Sequence, residues 1–273
     1  MTDSFQARIA RDLVVVEGPD ATTFLQSLVS QDLDGIAVGA SGHSLFLQPQ
    51  GKLLVDFYAV HVEPDTWWCV CEGGYGPPLA SGLRRFKIRV KLDITEVAVA
   101  ALALRGVEPP AGEAGLVAVA VDWPGVSAFD VVGPEDSIER LRSTIDVPSL
   151  DADGYERARI EAGVSRQGLD TDDRTIPQEA GLEQVAVSFT KGCFVGQELV
   201  CRIDSRGHVN RNLRRLRASG SHLTQGVAVA FDGRDVGEVT SAAGDVALAM
   251  IRREVDAGAC VDAGGVPAVV EAL

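Results

Sequence analysis

Apolar and polar positions along this chain change period repeatedly, and each change marks an element. Leu13-Val14-Val15-Val16 is a short apolar run of strand type, and Gly18-Pro19-Asp20 then opens a segment reaching Asp32. There Phe24, Leu25, Leu28 and Val29 recur at helical spacing, and Pro19 and Asp20 suit a helix start. Ser44–Gln48 and Lys52–Val62 flank Pro49-Gln50-Gly51, which predicts a hairpin, and Thr66–Cys71 reads as a further strand. Glu72-Gly73-Gly74-Tyr75-Gly76-Pro77-Pro78 reads as a turn, because its spacing fits neither a dinucleotide nor a P-loop fingerprint. From Leu83 to Leu92, Phe86, Ile88, Val90 and Leu92 alternate with Arg85, Lys87, Arg89 and Lys91, the pattern of a strand with one basic face.

Strands punctuated by Pro109-Pro110 and Trp123-Pro124-Gly125 follow from Val97 to Val147, with a helix predicted over Pro134–Ile145. Asp151–Ala162 reads as a helix with Asp151 or Asp153 as N-cap and Gly163 as its stop. Gly168–Asp173 is acidic but lacks the spacing and closing glutamate of an EF-hand, and is expected to be a solvated loop. The alternation from Gln184 to Thr190 predicts a strand that leads into Lys191-Gly192-Cys193-Phe194-Val195-Gly196-Gln197-Glu198, with a helix starting near Gly196. Beyond Arg211 come short strands and turns over 227–231, 235–240, 246–251 and 268–271, with Asp232-Gly233 as a hairpin signal. A small antiparallel barrel closes such a series, since closure removes exposed edges. The reading is an α+β fold with a body over residues 1–209 and a C-terminal β-barrel over 210–273.

Composition narrows the function classes. A chain of 273 residues with 46% hydrophobic and 23% charged residues is globular and long enough for two or three domains. Its net charge of −14 argues against the whole surface serving as a nucleic-acid platform. A local exception is the segment with Arg202, Arg206, Arg211, Arg214, Arg215 and Arg217, where Asp204 is the only acid. That segment is the candidate tRNA contact. The basic face at residues 85–91 suits an anion too, although charge protecting an edge strand is the better account. The N-terminus shows no secretory pattern, and the longest apolar run, Val97–Leu104, falls well short of the roughly 20 residues a spanning helix needs. Five irregularly placed cysteines suit a reducing compartment, so the expected location is the cytoplasm, without membrane contact. Cys69 and Cys71 read as core thiols, and Cys193 with Cys201 does not complete a four-cysteine cluster site, so no resident metal is expected.

The strongest chemical signal is Cys193. Glycines on both sides allow unusual backbone geometry or close approach, and Lys191 and a helix start both favour the thiolate. The alternative is a buried cysteine in a packed turn. Lys191–Glu198 resembles the K-G-C-[YF]-x-G-Q-E signature of the YgfZ-type folate-binding proteins, relatives of the glycine-cleavage T-protein, at eight consecutive positions. Ile176-Pro177-Gln178-Glu179 is similar to the P-x-E element of the same family. The resemblance implies a T-protein-like, multi-lobed folate-binding body, and tetrahydrofolate or a one-carbon derivative as cofactor. It implies iron–sulfur client enzymes as partners, among them enzymes that modify tRNA.

Carried over residue by residue, it places Cys193, Lys191 and Asp56 in the reactive set and Glu161, Arg159, Gln197, Glu198 and Arg202 around the folate. Arg159-Ile160-Glu161-Ala162-Gly163 is similar to the segment whose glutamate binds the pterin, and a carboxylate can accept two parallel N–H bonds from that ring. The competing account of Glu161 is an ion pair with Arg157 one helical turn away. Where aminomethyltransferases typically carry paired aspartates, this chain has Val55-Asp56. The implied function is a tetrahydrofolate-binding accessory protein for iron–sulfur enzymes. The alternatives are a folate-dependent aminomethyl- or methyltransferase and a tRNA-binding module.

Overall fold

The computed structural model describes residues 4–110 and 115–273, with Arg206 described by its backbone alone. Met1–Asp3 of the N-terminal reading, residues 111–114 after Pro109-Pro110, and the side chain of Arg206 lie outside the described residues. The chain forms two compact units, one of residues 1–152 and 184–197, the other of 153–183 and 198–273.

Among the described residues, the first unit is built on two five-stranded sheets. One consists of β2 (Arg11–Glu17), β3 (Ser41–Leu47), β4 (Leu53–Glu63), β5 (Thr66–Glu72) and β6 (Asp93–Val97), in the order β3-β4-β5-β2-β6. The other consists of β1 (Phe5–Ile9), β7 (Ala100–Arg105), β8 (Val117–Ala120), β9 (Ala128–Gly133) and β10 (Ser149–Leu150), in the order β10-β1-β7-β9-β8. Alternation along the strands sorts side chains to the two faces of each sheet. Val14, Val16, Phe46, Val55 and Phe57 pack beneath α1 (Ala21–Gln26) and α2 (Gly76–Arg84). Leu13, Val60 and Val70 meet Ala101, Val119 and Val132 of the other sheet. On that sheet's outer face, Ile138 and Leu141 of α3 (Glu135–Thr144) cover Leu102, Leu104 and Val131. The unit is therefore layered helix, sheet, sheet, helix.

Three expectations fail here. Residues 83–92 are not a strand: Pro77 and Pro78 open α2, where a missing N–H costs nothing, and Leu79, Ala80 and Leu83 bury one helical face. After Arg84 the chain turns, leaving Phe86 41% and Ile88 72% exposed and Arg89 at φ 57°. The alternation is genuine, but no neighbouring strand offers it a ladder. Glu72–Pro78 is correspondingly a turn only as far as Tyr75. Gln184–Thr190 is not a strand either; it is the short helix α5 (Glu183–Ala186) followed by irregular chain, with Val185 and Phe189 exposed. The helix expected as far as Asp32 ends at Gln26, although Leu28 and Val29 remain buried through turns onto Leu25.

The second unit contains α4 (Ala152–Ala162), a 3-10 turn at Pro177–Glu179, most of α6 (Gln197–Arg206), and the barrel. The barrel strands are β11 (Arg211–Ala218), β12 (Ala228–Phe231), β13 (Arg234–Ala243), β14 (Val246–Arg252), β15 (Cys260–Ala263) and β16 (Val266–Glu271). They close in the order β11-β14-β13-β12-β15-β16 around Leu216, Val229, Val239, Ala249, Ile251, Val261 and Val270. Asp232 and Gly233 both take positive φ, 50° and 72°, as a two-residue hairpin turn with the twist of its strands requires.

The acidic segment 168–173 departs from expectation. Asp170 is buried, not solvated: Oδ2 accepts from Arg159 Nη1 at 2.7 Å and from the Arg166 N–H at 3.0 Å, while Oδ1 accepts from Thr240 at 2.5 Å and Ser241 at 2.6 Å. This joins the loop, α4 and barrel strand β13. Asp170→Ala leaves the Arg159 guanidinium buried beside a vacated partner, and is expected to cost about 3–5 kcal/mol in urea unfolding. A loss below about 1 kcal/mol would show that the network is not structural.

Candidate functional site

The Lys191–Glu198 loop is fixed from beneath. Lys191 Nζ donates to the backbone oxygens of Gln26 (2.8 Å), Val29 (2.8 Å) and Gln31 (2.7 Å), and lies 3.2 Å from Gln26 Oε1. These carbonyls belong to the end of α1 and the turns after it, so the ammonium satisfies groups the finished helix leaves unpaired. Burial presses its pKa down to about 8 against the pull of Asp32 and Asp34. The ammonium also stands 5.7 Å from the centroid of the buried Phe194 ring. Val195 N–H donates to Leu28 O, and Phe194 N–H to Gln197 Oε1. Gly196 sits at φ +80°, where a Cβ would come within 2.5 Å of Gln48 O and 2.9 Å of Leu47 Cβ. Gly192 has open space around it and makes no such approach.

The result is a loop with three anchors, Lys191, Phe194 and Gly196, and an exposed Cys193 between the first two. Lys191, expected to serve the thiol, has its ammonium committed to carbonyls. Cys69 and Cys71 are buried in the core as expected, and burial lifts the Cys69 thiol to about 12 and raises Cys71 as well. Cys201 is half-buried and Cys260 exposed. Glu198, in the first turn of α6, and Arg202, one turn on, are both exposed.

Asp56, on β4, faces a residue that sequence reasoning missed. His43 Nε2 lies 2.5 Å from Asp56 Oδ1, and His43 Nδ1 lies 2.6 Å from Asp122 Oδ2. Tyr58 stacks on the imidazole, with centroids 4.4 Å apart and planes 19° from parallel. Burial works against a charged ring, yet Asp56 and Asp122 raise its pKa to about 9. A lone histidine in an alternating strand carries no signal of this. The clue is an aspartate two residues from a tyrosine in the strand that pairs with it.

Glu161 is also occupied. Its side chain is 10% exposed; Oε2 accepts from Arg217 Nη2 at 2.7 Å, and Oε1 from Arg157 at 3.3 Å and Arg217 Nη1 at 3.3 Å. The hydrogen bond from Arg217 is the main reason its carboxyl titrates below the usual range. Arg217 Nε reaches Glu271 at 2.9 Å, and Arg215 pairs with Glu271 at 2.6 Å. Arg211 holds Glu179 at 2.8 Å. Three arginines of the segment that looked unbalanced, Arg211, Arg215 and Arg217, are thus matched by acids distant in sequence. Among the described residues Arg202 and Arg214 have no ion pair. Arg159, 3% exposed, points into the Glu156–Asp170–Ser241 network.

These features define a protein with the aminomethyltransferase fold. The chain superposes on the glycine cleavage system aminomethyltransferase T from Bartonella henselae with a TM-score of 0.85, over 99% of this chain and 85% of that one, at 19% identity. Within that fold, residues 211–272 match the family described as CAF17, C-terminal beta-barrel domain. The chain is similar to the human iron–sulfur cluster assembly factor IBA57, mitochondrial, at 29% identity over 89% of this chain and 76% of the relative. It is similar to the IBA57 homologue of Chaetomium globosum at 24%, over 75% of this chain, where it spans about half (54%) of the relative's length. The aminomethyltransferase of Bordetella pertussis matches at 26% identity, over 68% of this chain and 60% of that one.

Lys191→Met keeps the stem and removes the ammonium, leaving its carbonyl acceptors unpaired. The expected cost is about 2–3 kcal/mol, with faster amide exchange over residues 26–31 and 194–197. Unchanged protection there would free Lys191 from the anchoring role.

Proposed function

We propose that this chain is a tetrahydrofolate-binding accessory factor in the assembly or repair of iron–sulfur proteins, tRNA-modifying enzymes among them. The observation that carries the proposal is the anchored loop that holds Cys193 exposed, in a chain similar to iron–sulfur cluster assembly factors over most of its length. Among the described residues no three His, Cys, Asp or Glu side chains are gathered to hold a metal ion. In this reading a cluster that contacts Cys193 is cargo, and takes its remaining ligands from the client. The reading places the protein in the cytoplasm, whereas the IBA57 relatives carry the word mitochondrial in their names. Among the described residues no helix is long and apolar enough to cross a membrane.

The folate part rests on Glu161. With Arg217 in place its carboxylate has no free edge for the paired N–H donors of a pterin, so the residues fit a reduced folate only when Arg217 withdraws. Glu271, which Arg217 already contacts, supplies a place for it to go. A bound folate would bring a one-carbon carrier; Glu161 would orient its ring.

The transferase reading draws on the likeness to aminomethyltransferases, and is weakened by the pairing of Asp56 with His43. Among the described side chains, direct tRNA contact is left with Arg202 and Arg214, since Arg211, Arg215 and Arg217 are engaged.

Calorimetric titration with tetrahydrofolate separates these readings. Glu161→Ala is expected to weaken binding by about 2–4 kcal/mol, as truncation of one side of a charged hydrogen-bonded pair does. Arg217→Ala should bind at least as tightly as the parent. Cys193→Ser should bind folate normally yet fail to restore iron–sulfur enzyme activity in cells lacking the protein. Equal affinity in parent and Glu161→Ala would remove folate from the proposal, and full complementation by Cys193→Ser would remove the thiol.

A further inference from the structure

We propose that His43, Asp56 and Asp122 form a proton-dependent clamp that locks the two sheets of the N-terminal unit together and withholds Asp56 from proton transfer. His43 and Asp56 lie on neighbouring strands of one sheet, β3 and β4, where His43 is in register with Tyr58 and Leu45 with Asp56. Asp122 follows β8 of the other sheet. One imidazole therefore spans the gap between sheets, with each ring nitrogen within 2.6 Å of a carboxylate oxygen.

A neutral imidazole has one N–H and one lone pair. Whichever tautomer formed, a lone pair would face an anionic oxygen at hydrogen-bond distance. With both carboxylates ionised, both contacts are attractive only when both nitrogens carry a proton, so the geometry calls for an imidazolium between two carboxylates. Tyr58 completes the arrangement: its ring stacks on the imidazole, its hydroxyl accepts the Asp122 N–H at 2.9 Å, and it donates to Asp122 Oδ2 at 3.3 Å. Beside the clamp, Ser41 Oγ donates to Ala120 O across the same two sheets at 3.2 Å.

The other charged groups around it do not replace the proton. Asp130, on β9, acts on Tyr58 but is held by Arg11 and Arg105, at 2.8 and 2.9 Å. Cys71, on β5, is pushed up by burial and stays a thiol. Gln31 brings a neutral amide to the His43 carbonyl. His43 loses its proton only as pH passes about 9, against an ordinary value near 6.5. A basic group whose folded pKa is raised stabilises fully below its unfolded pKa, and that stabilisation fades as pH climbs through the folded value. The clamp is therefore closed at neutral pH and opens in mild alkali. The inference is independent of the folate reading, since it concerns only the N-terminal unit. For Asp56 it has a direct chemical meaning: a carboxylate bound to an imidazolium is a poor proton acceptor.

The test is an imidazole-nitrogen NMR titration of the full-length protein from pH 6.5 to 10, with thermal unfolding of the parent, His43→Gln and Asp122→Asn over the same range. The expected result is one histidine with both nitrogens protonated at pH 7.5 and titrating near 9. The parent Tm should fall by about 4–8 °C more than that of His43→Gln between pH 7.5 and 10. Asp122→Asn, which changes a half-exposed carboxylate, should lower the titration midpoint by at least one unit, and serves if His43→Gln does not fold. A neutral His43 at pH 7.5, or a midpoint unmoved by Asp122→Asn, overturns the clamp.

Discussion

A buried ion must have a partner, and in this chain most of those partners stand on a different element of the fold. Taking a charge from water costs several kcal/mol unless an opposite charge and hydrogen bonds replace the lost hydration. Asp130 meets Arg105 and Arg11, Asp170 meets Arg159, and His43 meets Asp56 and Asp122. Each contact fixes two or more elements at once. Apolar layers supply most of the burial, but they tolerate sliding; a guanidinium against a carboxylate at 2.7–2.9 Å does not. Register and sheet-to-sheet placement in the first unit, and the seating of α4 on barrel strand β13 in the second, follow from these pairs.

The same economy shapes the motif loop. Its chemistry, a lysine, a cysteine and two glycines, divides on folding into scaffold and presentation. Lys191, Phe194 and Gly196 go inward, to carbonyls, to core and to the β3–β4 turn; Cys193 stays outside. A thiol carried on an anchored loop meets a partner without the cost of ordering a floppy segment. That suits the accessory role proposed for this chain.

Likeness of fold does not by itself carry likeness of chemistry. The backbone is that of an aminomethyltransferase, at 19% identity. Yet the carboxylate in the region of the enzymes' paired aspartates is tied to an imidazole, and the one expected to hold the pterin is tied to an arginine. Function resides in such side-chain arrangements and not in the fold that carries them.

By itself the sequence determined the elements whose signals are local. The hairpin at Pro49-Gln50-Gly51, the Asp232-Gly233 turn, the helix ended by Gly163, the core cysteines and the closing barrel were all legible, because φ > 0, period and turn chemistry are properties of a few adjacent residues. Only the tertiary structure decided what depends on a neighbour. Residues 85–91 and 184–190 alternate like strands, but a strand needs a ladder, and none was adjacent. Arg211, Arg215 and Arg217 looked unbalanced because Glu179, Glu271 and Glu161 lie 32 to 56 positions away. Asp170 looked solvated for the same reason. Charge read along a chain is a one-dimensional count, whereas the energy of a charge is set by what stands within about 4 Å of it in three dimensions.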